Sequence, residues 1–323
     1  WIRFPLYAVA AQAWLGRDRD IRVILLISIL VGMLIMCLIL LSEIIIEPKI
    51  RLTWPYGDHL PGTYLAKFSL PLICVFSILT IKYLKTNILF VIVLIFSISM
   101  CFLTGERVNF LIIISATFLS FFLNKGKLLK TFGSISIFLL FLYFISSLFP
   151  VTQKRFTSDF LKSIPVINTT NKIDNSKHNP YWGVWRSGIH QAILNPITGI
   201  GPSNTRHTCK LLPFNEPSWL PGSNNCGNHP HNFYIQLFAE TGFVGLIIGT
   251  CMFISIILSC YKTRKLTDSC PMSKTAFIIP LALFFPLQQF GSFYGQWGNL
   301  FIWFAIGFAL SQFQNWKHPK NNL

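Results

Sequence analysis

The chain has 323 residues, 52% of them hydrophobic and 12% charged, with a formal net charge of +16. Its apolar residues gather in long Leu-, Ile- and Phe-rich runs, which excludes a soluble globular domain and a membrane β-barrel and predicts an all-α, polytopic helical membrane protein. Most Lys and Arg sit in short loops between those runs, where they set orientation, so membrane lipids are expected as partners and nucleic acid is not.

The chain opens in WIRFPLYAVAAQAWL, which lacks the basic head and small-residue cleavage site of a signal peptide and reads as the remainder of a hydrophobic helix. The natural N-terminus is expected to be missing. Membrane segments are read at about 1–15, 22–42, 68–84, 87–103, 108–123, 129–149, 240–260, 275–290 and 296–312, about nine spans in this chain. Basic connections hold Arg17, Arg19 and Arg22, then Lys82 and Lys85, then Lys125, Lys127 and Lys130, then Lys262, Arg264, Lys265 and Lys274, with Lys317 and Lys320 in the tail. The positive-inside rule sends these to the cytoplasm. The connections 43–67, 104–107, 150–239 and 291–295 then lie outside, and long translocated segments such as 150–239 escape the rule. The organisation expected is N-terminal membrane helices over 1–149, a long periplasmic loop with short helices over 150–239, and C-terminal membrane helices with a cytoplasmic tail over 240–323. A loop of about 90 residues far exceeds an ordinary connection and is expected to be functional. Cys209 and Cys226 fall together in it, and the residues leave open whether they pair.

There is no P-loop, no closely spaced Asp pair, no Cys-x-x-Cys and no His-Glu-x-x-His, so no cofactor and no metal are expected. Glu43, Glu47 and Asp58 read as solvated or paired loop charges. Arg107, in TGERVNF, lies at a turn between apolar spans, where a guanidinium needs an anionic or polar partner; Glu106 beside it is one, and a substrate is another. Arg186, in YWGVWRSGIHQAILNPITGIGPSN, sits among aromatic residues that suggest a short helix along the membrane, broken at Asn195-Pro196 and at the Gly199/Gly201 turn. Arginine grips phosphate bidentately, and a few of them on one side would cradle a pyrophosphate.

His231, in GNHPHNFYIQLFAETGFVGL, stands at the start of a helix that Asn232 can cap, and the positive end of that helix favours a neutral imidazole able to act as a base. A satisfied interfacial histidine is the plainer reading. Pro230 is expected to send His229 and His231 in different directions, and Gly242, Gly245 and Gly249 to let helices approach closely.

TGERVNF, followed by W-R-x-G-I-x-Q-A-I-x-N-P-I-T-G-I-G and closed by H-P-H-N-F-Y-I-Q-L-F-A-E-T-G-F-V-G-L, resembles the O-antigen ligase and O-antigen polymerase superfamily of bacterial inner membranes. The resemblance extends over roughly 50–315, with the closing His-Asn…Glu-Thr-Gly…Gly as its most specific part. It implies about a dozen helices, several of them preceding this chain, and a metal-independent glycosyltransferase whose active site faces the periplasm. The donor it implies is a glycan on undecaprenyl pyrophosphate; the acceptor is a sugar hydroxyl, on the lipid A core for ligases and on a growing chain for polymerases. Carried over by motif, His231 takes the proton of the acceptor hydroxyl, and Arg107 and Arg186 hold the pyrophosphate. Arg51 and Lys67, in RLTWPYGDHLPGTYLAK, match an outer basic element loosely and are expected to assist. The motifs do not separate a protein O-oligosaccharyltransferase. A transporter of an anionic lipid-linked substrate is the alternative of another class; the helix breaks here fall in outer loops, whereas transporters place them at mid-membrane in matching halves.

Overall fold

The computed structural model describes residues 2–17, 19–46, 52–53, 61–82, 88–123, scattered positions from 136 to 147, 149–157, 180–211, 229–265, 271–288 and 291–311. Every regular element among them is helical, with no strand. In chain order the α-helices are α1 (Arg3–Arg17), α2 (Arg19–Ile46), α3 (Pro61–Lys82), α4 (Ile88–Leu103), α5 (Arg107–Leu123), α6 (Pro150–Phe156), α7 (Pro180–Leu194), α8 (Thr205–Thr208), α9 (Phe233–Lys262), α10 (Ile278–Leu283) and α11 (Gln296–Ser311). Three of them, α3, α6 and α7, begin on proline, whose missing N–H costs nothing in a first turn and whose fixed φ suits it.

By length and composition Ile21–Ile46 and Phe233–Lys262 are long and apolar enough to cross a membrane, the latter as two pieces that meet at Gly242. On α2 the exposed side chains Ile24, Ile27, Val31, Ile35 and Leu38 form one stripe at helical spacing, while Leu26, Met33, Cys37 and Leu40 are buried on the other face. An apolar stripe facing outward along a whole helix fits hydrocarbon as its solvent.

Several segment boundaries differ from the sequence reading. Arg22, assigned to a loop, lies inside α2 and is buried. Most of 129–149 lies outside the described residues. Among the described residues of 275–290 the α-helix is the six-residue α10, after a 3₁₀ turn at Pro271–Lys274. The segment expected at 240–260 corresponds to the part of α9 after Gly242, and a separate helical piece from Phe233 precedes it.

Two compact units are distinguished, one of Trp1–Lys154, Ile256–Phe285 and Leu300–Leu323, the other of Arg155–Ser255 and Pro286–Asn299. In the first, α3 packs against α2, α4, α5 and α10. The Ser120 hydroxyl donates to the Ile73 carbonyl at 2.9 Å, and Thr275 donates to the Cys74 carbonyl at 3.1 Å while the Cys74 thiol donates to the Thr275 carbonyl at 3.2 Å. These bonds satisfy buried polar groups where no water competes.

One end of this unit gathers helix starts. Glu106 precedes α5 and its carbonyl accepts from Phe110 N–H at 2.9 Å, while its carboxylate accepts from Gly62 N–H in the first turn of α3 (3.0 Å), the Thr63 hydroxyl (2.5 Å) and the Asn109 amide (2.8 Å). The Thr152 hydroxyl of α6 donates to the Leu103 carbonyl at 3.5 Å. The connection before α3, the turn at 104–107 and the entry to the 150–239 stretch, all assigned to one face by charge, thus share one end.

Candidate functional site

The second unit is built round a sharp corner in α9. Gly242 has φ 64° and ψ −165°, outside any helix, so 233–241 and 243–262 are separate helical pieces. The rings of Tyr234 and Phe253 lie 5.8 Å apart, although nineteen residues of straight helix would separate them by roughly 28 Å. The second piece therefore folds back along the first.

Such a corner strands the last carbonyls of one piece and the first amides of the next. The Asn195–Gly201 turn satisfies them. Ile200 N–H donates to the Ala239 carbonyl and Gly201 N–H to the Glu240 carbonyl, each at 3.0 Å, and Phe243 N–H donates to the Pro196 carbonyl at 2.7 Å. Approach this close requires both glycines: a Cβ on Gly199 (φ 68°) would run into the Glu240–Thr241 backbone, and one on Gly242 into the Ile197 carbonyl. The N-P-I-T-G-I-G and E-T-G stretches are thus two halves of one joint. Gly242 was expected to serve helix packing; it makes a corner and a turn contact instead.

The Glu240 carboxylate, 1% exposed, completes the joint. It accepts from Ser203 N–H (2.7 Å), the Thr205 hydroxyl (2.6 Å) and the Gln236 amide (3.2 Å). Gln236 also donates to the Ser292 hydroxyl at 3.0 Å and accepts from Phe293 N–H at 2.8 Å. Burial, with the Glu240 charge adding to it, pushes the Tyr294 phenol up, which keeps it a proton donor.

At the start of α9, Asn232 caps the helix as expected: its side-chain oxygen accepts from Tyr234 N–H at 3.0 Å and Ile235 N–H at 3.2 Å. Its amide donates to the Pro286 carbonyl at 2.6 Å. His231, immediately before the cap, has φ 55°, a left-handed conformation that a non-glycine side chain adopts at a cost of about 1–3 kcal/mol and that clusters at functional sites. The His229 and His231 rings lie 4.2 Å apart at 59°. The expectation that Pro230 would part them is overturned, because the left-handed turn at His231 returns its ring beside its neighbour.

Helix α7 packs on this segment at Gly188, where a Cβ would meet Ile235 at 2.8 Å and Pro230 at 2.9 Å. Gln191, next on that side, donates to the Thr205 carbonyl at 3.3 Å. Arg186 and His190, one turn apart and each 5% exposed, leave α7 on another side from Gly188. Desolvation lowers the guanidinium's hold on its proton.

The remaining expected site residues are in the first unit or outside the described residues. Arg107 is the first residue of α5 and half-buried. Lys67, expected in a loop, is in α3, 6% exposed, and feels the Glu106 charge. Arg51, Glu47 and Asp58 lie outside the described residues. Glu43, expected in a loop, is in α2 and accepts from the Thr53 amide and hydroxyl, each at 3.0 Å. Cys209 is disulfide-bonded, and Cys226 lies outside the described residues.

Residues 92–249 match the family model described as O-Antigen ligase. Over that stretch the chain is similar to the O-antigen ligase family. No curated protein sequence matches the chain. The O-antigen ligase match starts in α4 and ends in α9, and so contains Arg107, Arg186, His231 and the whole joint between the Asn195–Gly201 turn and Gly242. It also contains two groups whose roles the sequence reading missed, Gln236 and Glu240. Their signal was the four-residue spacing that puts both on one helix face, in a stretch otherwise apolar enough to be read as membrane.

Proposed function

We propose that this chain is a membrane glycosyltransferase of the O-antigen ligase type, moving a glycan from undecaprenyl pyrophosphate to a sugar hydroxyl of the lipid A core at the periplasmic face of the bacterial inner membrane. The observation that carries this reading lies inside the 92–249 match: a capped helix start bearing His231, with the Arg186 helix seated on the same segment through Gly188. The disulfide at Cys209 supports an oxidising compartment for that part of the chain, with Cys226 as its proposed partner.

The acceptor oxygen bonds to the anomeric carbon of the donor as that carbon's bond to the pyrophosphate oxygen breaks. The hydroxyl proton passes to His231, and the charge growing on the leaving pyrophosphate is held by Arg107 and Arg186, with Lys67 and Arg51 assisting. Pyrophosphate is already a good leaving group, so a base and positioned cations meet the chemical need. The donor's lipid tail stays in the bilayer with its diphosphate at the head-group plane, which is why reactive side chains stand at the mouth of apolar helices.

The test is transfer from the lipid-linked donor to acceptor in membrane vesicles. His231→Ala is expected to slow it by about 10²- to 10⁴-fold, the usual contribution of a positioned base, with no effect of a chelator. Transfer at the normal rate by His231→Ala overturns the base assignment. Indifference to His231→Ala, Arg107→Ala and Arg186→Ala together overturns the enzyme.

A further inference from the structure

We infer that Glu240 is a positioning residue for the transfer reaction: its carboxylate clamps the 199–205 turn, and through Thr205 and Gln191 the Arg186 helix, to the helix that His231 begins. The inference rests on the proposed glycosyl transfer for its rate readout only.

The geometry requires an anion at this position. One carboxylate oxygen accepts from both the Thr205 hydroxyl and the Gln236 amide, the other from Ser203 N–H. Gln236 cannot turn round, because its own oxygen accepts from Phe293 N–H. Ser203 offers only a donor here. An amide at position 240 would therefore direct its NH₂ either at the Ser203 N–H or at the Gln236 NH₂, and one bond becomes a donor–donor contact. A buried carboxylate is expensive unless fully satisfied, and among the described residues this one is satisfied by neutral donors from two segments. A third segment joins through Gln236, which holds Ser292 and Phe293. Asn232, beside His231, holds Pro286 at the start of the same stretch. Glu240 is thus the hub of a network that ties the 199–205 turn and the 292–293 stretch to the helix that follows His231. Reaction geometry is sensitive at the 1 Å level, where a misplacement costs about 10²-fold.

The experiment compares wild type, Glu240→Gln, Gln236→Glu and the double variant that combines the two, in the full chain in membranes. Glu240→Gln is expected to lower kcat about 10²-fold with donor KM changed less than about threefold. The amount of folded protein stays at the wild-type level, and hydrogen exchange across 199–205 speeds up. In the double variant the carboxylate has moved to position 236, where it accepts from Phe293 N–H, Ser292 and the new amide. The amide at position 240 keeps its oxygen for Ser203, and at least tenfold of the lost rate is expected to return. Unchanged exchange at 199–205 in Glu240→Gln overturns the clamp whatever the activity. A rate loss that only tracks the loss of folded protein, or a double variant that recovers nothing, reduces Glu240 to a structural group. Faster exchange in a chain whose wild type transfers no glycan leaves the clamp standing and removes the glycosyltransferase.

Discussion

Glu106 in the first unit and Glu240 in the second are both buried carboxylates that accept hydrogen bonds from two segments far apart in sequence, yet their company differs. Glu106 sits at a junction of helix starts, takes a first-turn amide of α3, and has the Lys67 ammonium acting on it. A carboxylate at a helix N-terminus with a cation nearby neutralises itself and the orphan amides together. Glu240 is held by an amide N–H, a hydroxyl and a side-chain amide, all neutral, and the amide N–H is that of the left-handed Ser203. The first cluster closes a scaffold; the second holds an open geometry in place. Buried charge alone does not separate the two, and the identity of the donors does.

The largest effect that tests this contrast is on stability. Glu106→Ala would leave the Gly62, Thr63 and Asn109 donors without their acceptor, at a cost of about 1–3 kcal/mol for each buried donor left unsatisfied. The expected outcome is a sharp fall in folded protein and in thermal midpoint in detergent, with transfer per folded molecule within a few-fold of wild type. A normal midpoint with a tenfold slower rate would instead move Glu106 into the reaction beside Lys67.

Gly242→Ala comes next. A φ of 64° with ψ −165° is a conformation open essentially to glycine, and the added Cβ meets the Ile197 carbonyl, so a loss of roughly 2–3 kcal/mol is expected. Hydrogen exchange at Ile200 and Gly201 should speed up with it. Gly32→Ala in α2 is the control, since a Cβ there has nothing within 4 Å, and helix propensity favours alanine by up to about 1 kcal/mol. Equal behaviour of the two variants would sink the joint as described.

Hydropathy made the helical class and most helix positions legible, because a bilayer-length apolar run has few other folds open to it. It failed where polarity and helix coincide. The 233–241 piece carries Gln236 and Glu240, so hydropathy found only the piece beyond Gly242, even though Asn232 was correctly read as a cap. Arg22 was misread for the same reason: a charged residue counted as loop sits buried in a helix. The Asn195–Gly201 turn was visible in its Pro and Gly, but its partner was not, since nothing local says that those amides fill a corner some forty residues later. Likewise the contact between His229 and His231 depends on a left-handed φ, which residues other than glycine adopt only occasionally.

The smallest effect tests how tightly His231 depends on its neighbour. Asn232 does two things at once, capping α9 through its oxygen and tying Pro286 through its amide. Asn232→Ala loses both, with an expected cost of about 1 kcal/mol for the cap. Asp caps a helix as well as Asn does, so Asn232→Asp keeps the first function. It cannot donate to the Pro286 carbonyl and puts a negative oxygen beside it. The thermal midpoint of Asn232→Asp should therefore fall between wild type and Asn232→Ala if the cap dominates, and below Asn232→Ala if the Pro286 tie does. In either case the transfer rate should fall by more than the midpoint implies, because the residue whose backbone is strained is His231 and both bonds hold the chain immediately after it. A rate that follows folded protein alone in both variants would show that the left-handed histidine keeps its place without Asn232, and would shift the burden of positioning wholly onto Glu240.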